Sequence, residues 1–338
     1  MQRLPRLYVS AVRIRKRVSR KEGRRMRDWL GREINYLRMS LTERCDLKCI
    51  YCRDESYYCK GKHELRTDEI EKLMDSFAQL GITKIRLTGG EPLVRKDLTE
   101  IVAIVSSHSE IKDIAMTTNG QGLAGRVEEL KNAGLKRLNI SLDSLDENRY
   151  REMTRGGELS RTRSGIREAL EAGLGVKVNV VVVRGKNDGE IDRFIDLASK
   201  EPLDVRFIEL MPIGAFGEKK ENHVPNAEII RNHPELHRVA SRSESQPSVD
   251  YQGEGFAGRV GFISPVSHRF CDKCNRVRLT SDGKLRMCLG RNEETDLRPY
   301  IEGADLTGII REAIFRKPDK NEFTQMYHAN RRMNQIGG

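Results

Sequence analysis

Six of the seven cysteines fall into two triads whose spacings suit soft metal centres. Cys45, Cys49 and Cys52 form Cys-x3-Cys-x2-Cys, and Cys271, Cys274 and Cys288 form Cys-x2-Cys-x13-Cys. Thiolates as close as the first three meet at one centre only from a loop, since side chains on a strand alternate between faces. Three ligands are one short of closing either a tetrahedral zinc or a cubane cluster. A [4Fe–4S] cluster on three cysteines keeps one iron open, and an open iron implies chemistry. The alternative is structural zinc, completed by Cys59 or a histidine at the first site and by His268, the nearest candidate, at the second. Two separate triads, each one ligand short, argue against zinc twice. The cysteines lie within 45–59 and 271–288, with none between. Metal in a reducing cytosol explains that better than a disulfide framework.

The second triad needs a fold to close it. Val277–Thr280 and Lys284–Met287 read as two strands around Ser281-Asp282-Gly283, and Asp-Gly is a favoured hairpin turn. A turn centred on Asp282-Gly283 sets Val277 opposite Cys288 and brings Cys288 close to Cys271 and Cys274. Arg276 and Arg278, two apart, then project to one side beside the site.

The elements that position these groups alternate along the chain. Asn35–Leu41 reads as a strand entering the first cysteine loop. Thr67 is a plausible N-cap, and Ile70, Leu73, Met74, Phe77 and Leu80 follow at helical spacing up to Gly81. Further strands are expected at Lys84–Thr88, Ile111–Thr118, Leu135–Asp143, Val176–Val183 and Leu203–Leu210, with helices near 97–107, 123–133, 160–173 and 188–199. Alternation of this kind gives a parallel α/β sheet with right-handed crossovers. Six units fall short of a closed eight-fold barrel of about 250 residues. The expectation is a partial six-unit β/α barrel, with an open flavodoxin-like sheet as the alternative.

Strands covered on both faces are normally apolar throughout. Here Lys84 and Arg86 alternate with Ile85 and Leu87, Asn139 and Ser141 with Leu138 and Ile140, and Lys177 and Asn179 with Val176 and Val178. Arg206 lies between Val205 and Phe207. If the apolar set meets the helices, the polar set lines an interior cavity, and buried Lys and Arg need a multiply charged anion there. The first triad, Gly89-Gly90-Glu91-Pro92, Thr117-Thr118-Asn119-Gly120 and Glu209-Leu210-Met211 all follow strands, at the C-terminal ends where barrel enzymes place their sites.

At 338 residues the chain can hold one large domain or two ordinary ones. It has no run of about 18 apolar residues, so no membrane span is expected. The net charge of +11 invites a nucleic-acid reading, but residues 1–25 carry ten Lys and Arg against Glu22 alone. The remaining body is nearly neutral. Residues 1–25 therefore read as a basic, disordered extension, a nucleic-acid partner is not expected, and the folded enzyme is expected to begin at Met26.

The first triad with Tyr51 before its third cysteine, followed by Gly89-Gly90-Glu91-Pro92, resembles the radical S-adenosylmethionine (SAM) superfamily. The second triad, Asn275-Arg276-Val277-Arg278 within it and the final Gly337-Gly338 narrow the resemblance to the GTP 3′,8-cyclase family of molybdenum cofactor biosynthesis, from about Asp28 onward. The resemblance implies a radical SAM partial barrel at 26–215 and a C-terminal iron–sulfur domain at 216–338. It implies two [4Fe–4S] clusters, on Cys45, Cys49 and Cys52 and on Cys271, Cys274 and Cys288. SAM bound to the first is cleaved to a 5′-deoxyadenosyl radical that takes hydrogen from C3′ of GTP, and the carbon radical adds to guanine C8. The product implied is (8S)-3′,8-cyclo-7,8-dihydroguanosine 5′-triphosphate.

Carried over residue by residue, Tyr51, Gly90, Ser141 and Met211 are implied as SAM contacts. Arg38, Arg86, Thr117, Lys177, Arg276 and Arg278 are implied as GTP contacts, with Lys84 beside them and Arg276 and Arg278 also catalytic. The tail is implied to thread into the barrel, with Arg331 and Arg332 adding to the charge of the site. Implied partners are a flavodoxin- or ferredoxin-like reductant, a downstream cyclic pyranopterin monophosphate synthase and a second copy in a homodimer, in the cytoplasm. The sequence departs from the family pattern after the first triad, where Arg53-Asp54 replaces Met-Pro and Tyr57-Tyr58-Cys59 follows. Cys59 reads as a free thiol, and 215–256 as a connection. The competing classes are a radical SAM enzyme acting on a peptide and a non-catalytic metal-binding protein.

Overall fold

The structure, a computed structural model, describes residues 25–52, 63–243, 245–323 and 327–337. The arm up to residue 24, the departures at Arg53-Asp54 and Tyr57-Tyr58-Cys59, and Gly338 lie outside the described residues. All six expected strands form: β1 (Tyr36–Ser40), β2 (Lys84–Thr88), β3 (Asp113–Thr118), β4 (Arg137–Ser141), β5 (Gly175–Val182) and β6 (Asp204–Glu209). They pair in chain order and all in parallel. The helices between them are α1 (Thr67–Gln79), α2 (Leu98–Ser107), α3 (Val127–Asn132), α4 (Glu147–Thr154), α5 (Leu159–Glu171) and α6 (Ile191–Lys200).

Helix α1 begins at Thr67 itself, so its cap lies one residue earlier than expected. Arg66 is the N-cap, and the Glu69 carboxylate accepts its backbone N–H at 2.8 Å. At the other end Gly81, with φ +87°, closes the helix: Ile82 N donates to Phe77 O and Gly81 N to Ala78 O, the paired bonds of a Schellman motif. Helix α4 was not expected, because only Tyr150 and Met153 of its eight residues are apolar and buried. Its signal was the cap: Asp146 accepts from Arg149 N at 2.9 Å.

The chain beyond 210 adds α7 (Gly214–Gly217), α8 (Asn226–Asn232), β7 (His237–Arg238), β8 (Ser248–Gln252), β9 (Val260–Ile263), β10 (Arg276–Leu279), β11 (Lys284–Arg286), β12 (Glu294–Asp296), α9 (Leu306–Phe315) and α10 (Met333–Ile336). These strands do not make a separate sheet. β9 joins β6 in parallel on one side and β10 joins β1 in parallel on the other, giving the order β12-β11-β10-β1-β2-β3-β4-β5-β6-β9-β8-β7. Phe207 of β6 stacks on Phe262 of β9 at 5.8 Å and meets Phe194 of α6 edge-on at 6.3 Å, so the core runs through that junction.

One face of the sheet is apolar, as the alternation predicts. Leu37, Met39, Leu87, Met116, Leu138, Ile140, Val178, Val205 and Phe207 are fully buried in the main core. The opposite face of β1–β6, β9 and β10 lines a single cavity, so the sheet curls round it without closing. Among the described residues no helix is long and apolar enough to cross a membrane.

Candidate active site

Both cysteine triads open into this cavity of about 590 Å³. The first lies on the loop after β1. Lys48 N and Ile50 N donate to the carbonyls of Thr154 and Met153, so the end of α4 carries that loop. Gly89 and Gly90 support it from below: Gly90 N donates to Thr42 O at 2.7 Å and Glu91 N to Arg44 O at 2.8 Å. A Cβ on Gly89 would stand 2.6 Å from Thr42 O, and one on Gly90 would run into the Arg44 carbonyl. The glycines are thus required by the cysteine loop itself, before any ligand is considered. The Glu91 carboxylate accepts from Leu93 N, Thr118 Oγ1 and Asn119 N and ties the end of β2 to that of β3. Burial outweighs those bonds and raises its pKa to about 7.

The second triad closes through the hairpin, in a register one residue away from expectation. Arg278 pairs with Arg286 and Leu279 with Leu285, so Met287, not Cys288, stands opposite Val277. The loop has three residues, not two: Gly283 N donates to Thr280 O, Thr280 N to Lys284 O, and Gly283 has φ +82°. A type I turn followed by a left-handed glycine gives that shift. Cys288 still reaches the cavity beside Cys271 and Cys274. Arg32, paired with Asp28 at 2.6 Å, donates to the carbonyls of Cys271 and Pro318 and clamps the site from the N-terminal side.

Among the described residues no three His, Cys, Asp or Glu side chains converge enough to hold a single metal ion. None of these six cysteines is in a disulfide. The two sites differ in charge. Burial, then Glu91 near Cys45 and Asp143 near Cys49, push those thiols up. At Cys274 burial also pushes up, but Lys317 and Arg276 outweigh it and bring the thiol down to about 7.

Cations fill the space between the triads. Arg278, Arg38 and Arg86 are direct neighbours in register across β10, β1 and β2. Like charges opposite one another destabilise a sheet. Burial and then the flanking Arg278 and Arg86 push Arg38 well below its usual value, and burial with Arg276 brings Arg278 to about 10. Lys177 falls to about 8 through burial and then Arg206. Among the described residues, several buried polar atoms around the cavity find no hydrogen-bond partner: Tyr36 OH, Arg86 Nε, Thr117 Oγ1, Asn179 Oδ1 and Arg276 Nε. Buried donors and acceptors left open round one cationic cavity fit a polyanionic ligand.

The structure brings the sequence-derived residues to this cavity. Tyr51, Gly90, Ser141 and Met211 line it near the first triad's strand ends, as do Arg38, Lys84, Arg86, Thr117, Lys177, Arg276 and Arg278. Tyr51 OH donates to Asp143 Oδ2 at 2.6 Å. Burial raises the Asp143 pKa to about 6. Sequence reasoning missed Asp143, Phe270 and Lys317, which also line the cavity. The segment 215–256 is more than a connection. Arg242, Ser243 and Ser245-Gln246-Pro247 return to the cavity, and Arg242 pairs with Asp204, which also pairs with Lys177.

The tail enters the cavity as expected, but Arg331 does not supply its charge. Arg331 is held by Asp282 at 2.9 Å and Glu294 at 2.7 Å and anchors the tail to the hairpin. Gly337 has φ +66°, and a Cβ there would stand 2.6 Å from Thr88 Cγ2. Asn334 Nδ2 donates to the Glu43 carbonyl at 2.9 Å, fixing α10 on the first cysteine loop.

A curled, mostly parallel sheet with a three-thiolate loop after its first strand defines a class, and the comparisons agree. Residues 39–198 match the Radical SAM superfamily and residues 203–323 match Molybdenum Cofactor Synthesis C. SuiB of Streptococcus suis, solved with S-adenosylmethionine, superposes with a TM-score of 0.61 over 88% of this chain and 76% of its own, at 15% identity, a likeness of fold alone. The GTP 3′,8-cyclase of Alkaliphilus oremlandii (strain OhILAs) is 46% identical over 321 residues, covering 93% of this chain and 100% of that one. That of Clostridium botulinum (strain Langeland / NCTC 10281 / Type F) is 44% identical with the same coverage. The chain belongs to the GTP 3′,8-cyclase family.

Proposed function

We propose that this chain converts GTP to (8S)-3′,8-cyclo-7,8-dihydroguanosine 5′-triphosphate by radical SAM chemistry, the first step of molybdenum cofactor biosynthesis. The observation that carries this reading is the single cavity lined both by the two cysteine triads and by a row of register-paired arginines. Cys45, Cys49 and Cys52 fit one [4Fe–4S] cluster and Cys271, Cys274 and Cys288 a second. When bound there, the first would supply an electron to SAM and the second would offer a binding point for the guanine base.

The chain's own residues bind, orient and enclose. Tyr51, held by Asp143, with Gly90, Ser141 and Met211, forms the SAM side of the cavity. Arg38, Arg86, Lys177 and Lys84 hold the triphosphate, replacing its lost water with charge-assisted bonds. Thr117 offers its hydroxyl, and Arg276 and Arg278 reach the nucleotide beside the second triad. Arg242, Ser243 and Ser245-Gln246-Pro247, with Met333 and Asn334 of the tail, line the cavity and would limit the water that reaches the reacting groups. The reductant is a flavodoxin- or ferredoxin-like protein, the product passes to a cyclic pyranopterin monophosphate synthase, and the enzyme works as a cytoplasmic homodimer.

The test is anaerobic reconstitution with SAM, a strong reductant and GTP, followed by product identification. The cyclised nucleotide is the expected product. SAM cleaved with GTP unchanged would point instead to a peptide substrate.

A further inference from the structure

Lys317 follows α9 and is 2% exposed, with its side chain lining the cavity at the second triad. Its ammonium donates to the carbonyl of Met287, the peptide group that leads into Cys288. Its own carbonyl accepts from Trp29 Nε1 at 2.8 Å and from Arg32 Nη2 at 3.4 Å, so the residue is fixed at both ends. Among the described residues no carboxylate pairs with its ammonium, and Arg32 and Arg276 beside the same triad are also cations. A buried ammonium without an anion is strongly unfavourable. Cys271, Cys274 and Cys288 line the same cavity, and the carbonyl that the ammonium reaches belongs to the residue just before Cys288. The first triad has the opposite surroundings, with Asp46, Glu91 and Asp143 about its cysteines.

We propose that Lys317 is the counter-cation of the second [4Fe–4S] cluster: a positioning residue that holds the Cys288 segment through Met287 and makes that cluster easier to reduce. The inference rests on the cluster reading of the second triad, not on GTP as substrate. A fixed positive charge favours the state carrying the extra electron, so removing it lowers the potential.

The experiment is a redox titration followed by electron paramagnetic resonance, in the full-length chain with Cys45, Cys49 and Cys52 changed to alanine so that only the second cluster signals. Lys317→Gln keeps a hydrogen-bond donor and loses the charge, whereas Lys317→Arg keeps both. At the unsubstituted midpoint, Lys317→Gln should show a reduced-to-oxidised ratio about tenfold lower, equivalent to about 59 mV for one electron. Lys317→Arg should stay near the unsubstituted value. Loss of iron from Lys317→Gln but not Lys317→Arg would also assign the charge to the cluster. An unchanged midpoint in Lys317→Gln, or loss of iron from both variants, would overturn the proposal. A second triad that holds no iron in the unsubstituted chain would instead refute the cluster reading itself.

Discussion

Arg38 and Arg278 stand side by side on adjacent parallel strands, and both donate to the carbonyl of Gly337, at 3.2 and 2.5 Å. Two like charges thus share one neutral acceptor near the end of the chain. The tail is thereby part of the substrate cavity. Gly337→Ala meets both a left-handed φ and the Thr88 methyl. Left-handed alanine costs about 1–2 kcal/mol before the clash is counted. The substitution should lower GTP turnover at least tenfold while iron content and SAM binding stay as before. Deleting Gly337-Gly338 should separate the two reactions further, with SAM still bound and little cyclised product. Unaltered turnover in the deletion would remove the tail from the site.

Arg276 and Arg278 should each reduce turnover when changed to alanine. Losing a charge-assisted bond to a bound nucleotide costs about 1.5–3 kcal/mol, or roughly 10–100-fold. Iron content should not change, because neither side chain is a ligand. A fall in melting temperature with GTP affinity intact would give them a merely structural role on the hairpin.

The cysteines should be unequal. Cys49→Ala removes a ligand of the first triad and should abolish reductive SAM cleavage. Cys274→Ala should leave that cleavage measurable and stop cyclisation. Quantifying 5′-deoxyadenosine beside the cyclised nucleotide distinguishes the two, and loss of both activities in Cys274→Ala would contradict a division of labour.

Lys177 predicts a pH dependence. Burial, and then Arg206, lower its pKa to about 8. An anion binds the protonated form, so GTP affinity should hold below about 8 and fall up to tenfold per pH unit above it. Binding near that pH should take up a proton, visible as a buffer-dependent heat in calorimetry. For the ligand-free fold the sign reverses. The folded pKa lies below the usual 10.5, so this group's contribution to stability is present above that value and lost as pH falls through about 8. Lys177→Arg should flatten the affinity profile, and an identical profile in that variant would exclude Lys177 as its source.

Much of this site was legible from residue order. The triads could be read from spacing because thiolate convergence from a loop is a local matter. The strands could be read from β-branched runs, and the polar face from a period of two, because alternation is a property of every extended backbone. The cap at Asp146 was also there to be read, although α4 has too few apolar residues to show a helical period.

Tertiary structure alone decided which distant pieces share the cavity. That β10 pairs beside β1 sets Arg278 next to Arg38, and nothing local in either strand encodes the choice of neighbour. The hairpin register turned on a single left-handed glycine, which moved Cys288 by one place. Arg331, expected to add its charge to the site, is held instead by Asp282 and Glu294, and nothing local in the sequence marks Lys317 as buried. Sequence determines the chemistry each residue offers and the period that selects its face. Partners and burial come from which elements pack together, and that is set by the free energy of the whole sheet rather than by any one segment.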